Sequence, residues 1–241
     1  AKDSNPYVAA RAIWILAQLG GTAERALSML LEAEFKGGGT PQTRIVAFRA
    51  FRRANHPGMM DLARRLAVDP SPAVRREVAF YLRNEEANPS VVSILVELAK
   101  RYDGKDRTYL EAFGTGATGK EAAVYAALVK DTKSSDWNKS TAGAVWRLMT
   151  AAAIPALQER VFNQKLALAD RSQALESIAF VRSGSAASAM VDIANFSQEK
   201  ELADRSAFWV NWNNARWWKS YLPGGKLKGG NASPKRVPVV I

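Results

Sequence analysis

Residues 114–120, Gly-Thr-Gly-Ala-Thr-Gly-Lys, satisfy two phosphate-binding patterns at once, G-x-G-x-x-G and G-x-x-x-x-G-K. In both, backbone N–H groups at a strand-to-helix turn cradle phosphates. The segment before Gly114 carries a helical rather than a strand period, and Glu121 follows Lys120 where a Ser or Thr would hold Mg²⁺. The stretch is therefore expected to be a glycine-rich turn between two helices, binding neither ATP nor NAD, with at most a weak anion site where the Lys120 helix begins. Nucleophilic chemistry has little to work with. The chain has one histidine, His56, and no cysteine, so neither a Ser-His-Asp nor a Cys-His set can be assembled. Thiolate metal sites, Fe–S clusters and covalent haem attachment are excluded within it. Carboxylate pairs of the glycosidase kind have no fixed spacing, and none stands out. His56, beside Pro57, reads as a turn residue, and a non-enzymatic protein without a cofactor is expected.

Two other groups could do binding chemistry. Arg49, Arg52, Arg53, Arg76, Arg83 and Arg147, with Tyr109 nearby, fall at positions that should share one face of successive helices, a basic stripe facing a partner or simply water. Near the C-terminus, Trp209, Trp212, Trp217, Trp218 and Tyr221 are interleaved with Asn213, Arg216 and Lys219. Aromatic rings beside cations hold bases and sugars, but bulky aromatics also seal the open end of a repeat array. A cap is the favoured reading here, a binding patch the alternative.

These residues are positioned by a repeat. A basic residue recurs at Arg11, Arg44, Arg75, Arg107, Lys139, Arg171 and Arg205, at intervals of 33, 31, 32, 32, 32 and 34. Three, six and seven residues after each one the chain is mostly small or apolar: Ala47, Ala50 and Phe51 after Arg44, and Val78, Tyr81 and Leu82 after Arg75. That spacing lays one stripe along a helix. A period near 32 suits two packed helices, A then B, with the basic residue opening B. B helices are expected over 5–19, 41–54, 72–83, 105–113, 137–150, 169–181 and 199–218, and A helices over 22–35, 58–68, 89–102, 120–129, 154–163 and 186–196. Acids precede several of the basic residues, as in Asp106-Arg107, Asp170-Arg171 and Asp204-Arg205. A carboxylate there suits a helix N-terminus, and the arginine can reach the neighbouring repeat as a rung of a structural ladder.

The run Asp69-Pro70-Ser71-Pro72-Ala73-Val74-Arg75 resembles a HEAT repeat, and the resemblance covers roughly residues 5 to 222. Residues 10–20 and 106–120 further resemble the HEAT-repeat middle segment of planctomycete-type exported, membrane-associated dehydrogenases, which carry a β-propeller before the repeats and a c-type cytochrome after them. The spacing predicts an all-α, right-handed α-solenoid of about six helix pairs over residues 1–222, and composition a basic Gly/Pro-rich tail over 223–241. The resemblance implies a scaffold that docks a protein partner or a neighbouring domain of a longer polypeptide, in a periplasmic or exported setting. The residues themselves are equally compatible with the cytoplasm. No Cys-x-x-Cys-His site occurs, so the redox activity is not implied for this chain.

The 241 residues carry 34 Lys and Arg against 23 Asp and Glu, a net charge of +11. Such a balance favours an acidic partner. Nucleic acid is therefore the alternative to protein, bound on a basic concave face as in HEAT-like DNA glycosylases. A small molecule is disfavoured, and no apolar run reaches the length of a membrane span. In the repeat register residues 5–19 are a B helix without its A partner, so the chain is expected to be a piece of a longer one, with the face bearing Ile13, Trp14, Leu16 and Ala17 covered by an earlier half-repeat.

Overall fold

The computed structural model describes residues 5–19, 21, 25, 28, 29, 32 and 40–222. The A helix expected over 22–35 and the glycine stop at 37–39 lie largely or wholly outside them, as does the 223–241 tail. Every regular element among the described residues is helical. The chain divides into two compact units, residues 1–119 and 120–241.

In the first unit, α1 (Pro6–Leu19), α2 (Pro41–Arg53), α4 (Pro72–Leu82) and α6 (Arg107–Gly116) are the B helices, and α3 (Met59–Leu66) and α5 (Pro89–Lys100) the A helices. The B helices pack in succession, α1 on α2, α2 on α4 and α4 on α6, while α3 packs on α5. The second unit repeats the plan. Its B helices α8 (Lys139–Leu148), α10 (Leu168–Ala179) and α12 (Lys200–Asn214) pack in succession, its A helices α9 (Ile154–Phe162) and α11 (Gly184–Phe196) pack together, and α7 (Glu121–Val129) packs on α8.

Local chemistry sets these boundaries. Thr40, Asn88, Asp106, Asn138 and Ser183 each accept a backbone N–H of the first turn that follows, and Pro41, Pro72 and Pro89 occupy first-turn positions where no N–H is missed. Helix α2 ends in a Schellman motif: His56 N–H donates to Phe51 O, Asn55 N–H donates to Arg52 O, and Asn55 takes φ 53°. The His56 ring lies 4.5 Å from Phe51, and its Nδ1 accepts from Gly58 N, which makes it the turn residue that its neighbours suggest.

The basic ladder is real but uneven. Arg44 is buried and forks onto Asp69, Nε to Oδ2 at 2.7 Å and Nη2 to Oδ1 at 3.0 Å, in the turn before α4. Arg75 donates to the carbonyls of Asp69, Pro70 and Arg101. Arg171 donates to Val161 O from a buried site, and Arg205 approaches Glu176 at 3.5 Å. Three rungs depart from the pattern, because Arg107 pairs with Glu111 on its own helix and Arg11 and Lys139 are exposed. Of the three expected acidic caps only Asp106 caps; Asp170 and Asp204 lie inside their helices.

Two helix ends and one helix face correct the sequence reading. Helix α12 ends at Asn214, and 215–221 turn back rather than extend it. On α1, Ile13 and Ala17 are buried, so the exposed apolar stripe is Val8, Ile15 and Leu19 rather than the expected face. Helix α6 runs through Gly114 and Gly116, so only 117–120 form the turn. A Cβ on Gly116 would stand 2.5 Å from Ala79 O, so the absent side chain is what lets α6 approach α4. Alanine at this helical position would be favoured by about 1 kcal/mol on propensity alone. Gly116→Ala is nevertheless expected to destabilise the fold by about 1–3 kcal/mol, because backbone must move to admit the methyl group. A melting temperature that rises on this substitution would show that the close approach does not matter.

Candidate partner-binding face

Of the seven residues of the expected stripe, the first unit brings three into one groove. Arg49, Arg52 and Arg53 are spaced i, i+3, i+4 on α2 and so share a face. With Trp14 of α1 and Glu77 and Phe80 of α4 they line an open groove of about 700 Å³ across three consecutive B helices. Phe80 is 42% exposed and Trp14 half-buried, so the arginines stand between two accessible aromatic rings.

The arginines differ in state. Arg49 forks onto Glu77, Nε to Oε2 at 2.9 Å and Nη2 to Oε1 at 2.5 Å. The Glu77 side chain is 12% exposed, that of Arg49 54%. Glu77 is a residue that the sequence reading missed; it could be found only by asking which acid on the next B helix faces Arg49. Arg52 and Arg53 are exposed and have no ion-pair partner among the described residues. They occupy the last turn of α2, where its carbonyl end favours cations, and the Schellman turn fixes where they emerge.

The other stripe residues part company with these. Arg76 reaches Asp106 at 3.8 Å, and Arg83 is exposed at the end of α4. Arg147 belongs to α8 of the second unit. Tyr109 is a correction: it is 3% exposed, donates its hydroxyl to Leu98 O and lies under the Arg75 guanidinium, 5.1 Å from the ring centroid. It is core. Its ring stacks on that of Tyr102, with centroids 6.2 Å apart.

The C-terminal aromatics divide. Trp218 is wholly buried and donates Nε1 to Val181 O at 2.9 Å, beside Asn213, which donates Nδ2 to Ala179 O. Both satisfy carbonyls at the end of α10, as a cap should. Tyr221 lies over Gly184, where a Cβ would meet its ring at 3.3 Å. Trp217 sits under Arg182, 5.0 Å from guanidinium to ring centroid, and its buried Nε1 has no hydrogen-bond partner among the described residues. Trp209 and Trp212 instead join an accessible row. Trp146 meets Phe180, Phe180 meets Trp209 at 5.5 Å, Phe208 meets both Trp209 and Trp212, and Arg216 lies 3.5 Å over Trp212.

Glu176, near this row, has its carboxyl pushed above the ordinary value by burial, with Trp209 and Arg205 opposing the shift. A folded pKa above the unfolded one means that the protonated form's stability is present at low pH and lost as pH rises through the folded value. Glu176→Gln is therefore expected to raise the melting temperature near neutral pH. The gain should shrink toward zero as pH falls to the ordinary carboxyl range, which melting curves at several pH values would read directly.

No phosphate cradle forms at 114–120: the segment is helix and turn, Lys120 is buried, and no strand precedes it. Among the described residues no three His, Asp or Glu side chains come together as a metal site, and no helix is long and apolar enough to cross a membrane. No family model, no curated protein and no solved structure matches the chain.

Proposed function

We propose that this chain is a non-enzymatic, HEAT-like solenoid scaffold that docks a segment of a protein partner, or of a neighbouring domain, on the α1–α2–α4 face. The observation that carries this reading is the open groove in which Arg52 and Arg53, without ion-pair partners among the described residues, stand between Trp14 and Phe80. Aromatic rings and arginines are the side chains that most often anchor protein interfaces. The positive charge steers an acidic segment toward them. Interactions one repeat apart support the solenoid within each unit: Arg75 with Tyr109, Gln158 with Asp192 and Gln164 with Gln198 are each 34 residues apart.

The net charge of +11 favours nucleic acid as the second reading. Fluorescence anisotropy with a short Glu/Asp-rich peptide carrying one Phe, and with a single-stranded oligonucleotide of equal charge, separates the two. The peptide is expected to bind saturably, and the Arg52→Glu, Arg53→Glu double variant to lose at least about tenfold in affinity at an unchanged melting temperature. Tighter binding of the oligonucleotide, with affinity falling steeply as salt rises, would replace the protein reading with the nucleic-acid one.

A further inference from the structure

We infer that Glu77 sets the selectivity of the α1–α2–α4 groove: by holding Arg49 in an internal ion pair, it tunes the groove to an acidic peptide segment with an aromatic or apolar side chain and turns it away from polyphosphate chains. This rests on the docking reading above and names the partner's chemistry.

Three arginines on one helical face, flanked by two accessible aromatic rings, would suit a single nucleic-acid strand, with phosphates on the guanidinium groups and bases stacked on the rings. This groove departs from that arrangement at its floor. Glu77 places a carboxylate beneath Arg49 and takes two of its five N–H donors. The pair is nearly neutral, so the net charge of the lining is carried by Arg52 and Arg53 alone.

A continuous polyphosphate has to bring one negative charge per nucleotide past the Glu77 carboxylate. A peptide can put carboxylates at Arg52 and Arg53 and a neutral ring over Glu77, between Trp14 and Phe80. Half-exposed Arg49 keeps N–H donors for a backbone carbonyl, an acceptor that needs no net charge. Glu77 is itself mostly shielded, so solvent screens its field less than that of a surface acid.

The test uses the same peptide and an equally charged single-stranded oligonucleotide against wild type and the variants Glu77→Gln, Arg49→Gln and Arg52→Gln, with a melting curve for each. Glutamine keeps the shape and one acceptor for Arg49 while removing the charge. Glu77→Gln is expected to tighten the peptide about fivefold and the oligonucleotide by more, so that the preference for peptide shrinks. Arg49→Gln leaves the carboxylate uncompensated and is expected to weaken the peptide more than Arg52→Gln does. If Glu77→Gln melts like wild type but leaves the ratio of peptide to oligonucleotide affinity unchanged or larger, Glu77 only props Arg49 and the inference falls. Should Glu77→Gln not fold, equal losses from Arg49→Gln and Arg52→Gln would overturn it just as well. A wild-type chain that binds neither probe overturns the docking reading itself, an outcome distinct from either.

Discussion

Asp69→Ala is expected to destabilise the first unit by about 3–5 kcal/mol, the cost of leaving one member of a buried ion pair without the other. The Asp69 side chain is 1% exposed and that of Arg44 7%, so neither charge can turn to water when its partner is lost. Asp69 Oδ1 also accepts from Ser71 N at 2.8 Å, which fixes the turn that opens α4. Removing the carboxylate takes two acceptors from the buried guanidinium and one from a backbone N–H. At about 2–4 °C per kcal/mol for a chain of this size, the melting temperature should fall by about 10 °C. Two comparisons assign the cause. Lys200→Ala, which breaks an exposed pair on α12, should cost less than about 1 kcal/mol. The double change Arg44→Met, Asp69→Leu should recover most of the loss, since an apolar pair of similar volume owes no desolvation. Urea unfolding of the three variants reads all of this, and a cost below about 1 kcal/mol for Asp69→Ala would mean that the buried rung holds nothing.

Trp218→Ala should cost a similar amount, about 3–5 kcal/mol, by a different route. The indole is wholly buried and fills the space between the 215–221 turn and the end of α10, so its loss leaves a large cavity. Its N–H is also the donor for Val181 O. Trp218→Phe keeps much of the packing and drops the hydrogen bond, and is expected to cost about 1–3 kcal/mol, the penalty of an unpaired buried carbonyl. Trp212→Ala, at a side chain 46% exposed, should leave stability within about 1 kcal/mol of wild type. Equal costs for Trp212→Ala and Trp218→Ala would mean that the two rings share one role, contrary to their surroundings.

The division of labour within that cluster was invisible in the sequence. Trp217 and Trp218 are adjacent and of one type, yet one is half-exposed under Arg182 and the other buried at the end of α10. Which ring turns inward depends on where α12 stops. Asn214 and Ala215 carry no strong stop signal, and the helix ends there because the following turn can satisfy the carbonyls of α10. Likewise Gly114 and Gly116 read as turn residues by type. Both joined a helix because Gly116 permits contact between α6 and Ala79 O, a tertiary gain that outweighs glycine's poor propensity.

The helices themselves were legible. A stripe of small and apolar residues repeating every 31–34 positions leaves each helix one face to bury, and Thr40, Asn88, Asp106 and Asn138 mark the starts by chemistry that acts within four residues. Local periodicity and capping determined the all-helical class, the order of the helices and the place of Arg49, Arg52 and Arg53 on one face. Tertiary structure alone decided which arginine is occupied. Glu77 lies 28 residues from Arg49, and their pairing requires α2 and α4 to pack in one register. Sequence spacing records which side chains share a helix face, whereas the charge that a groove presents depends on which faces meet. The packing of α6 on α4 and α5 turned Tyr109 from the stripe into the core, and the packing of α2 on α1 and α4 left Arg52 and Arg53 open between two aromatic rings.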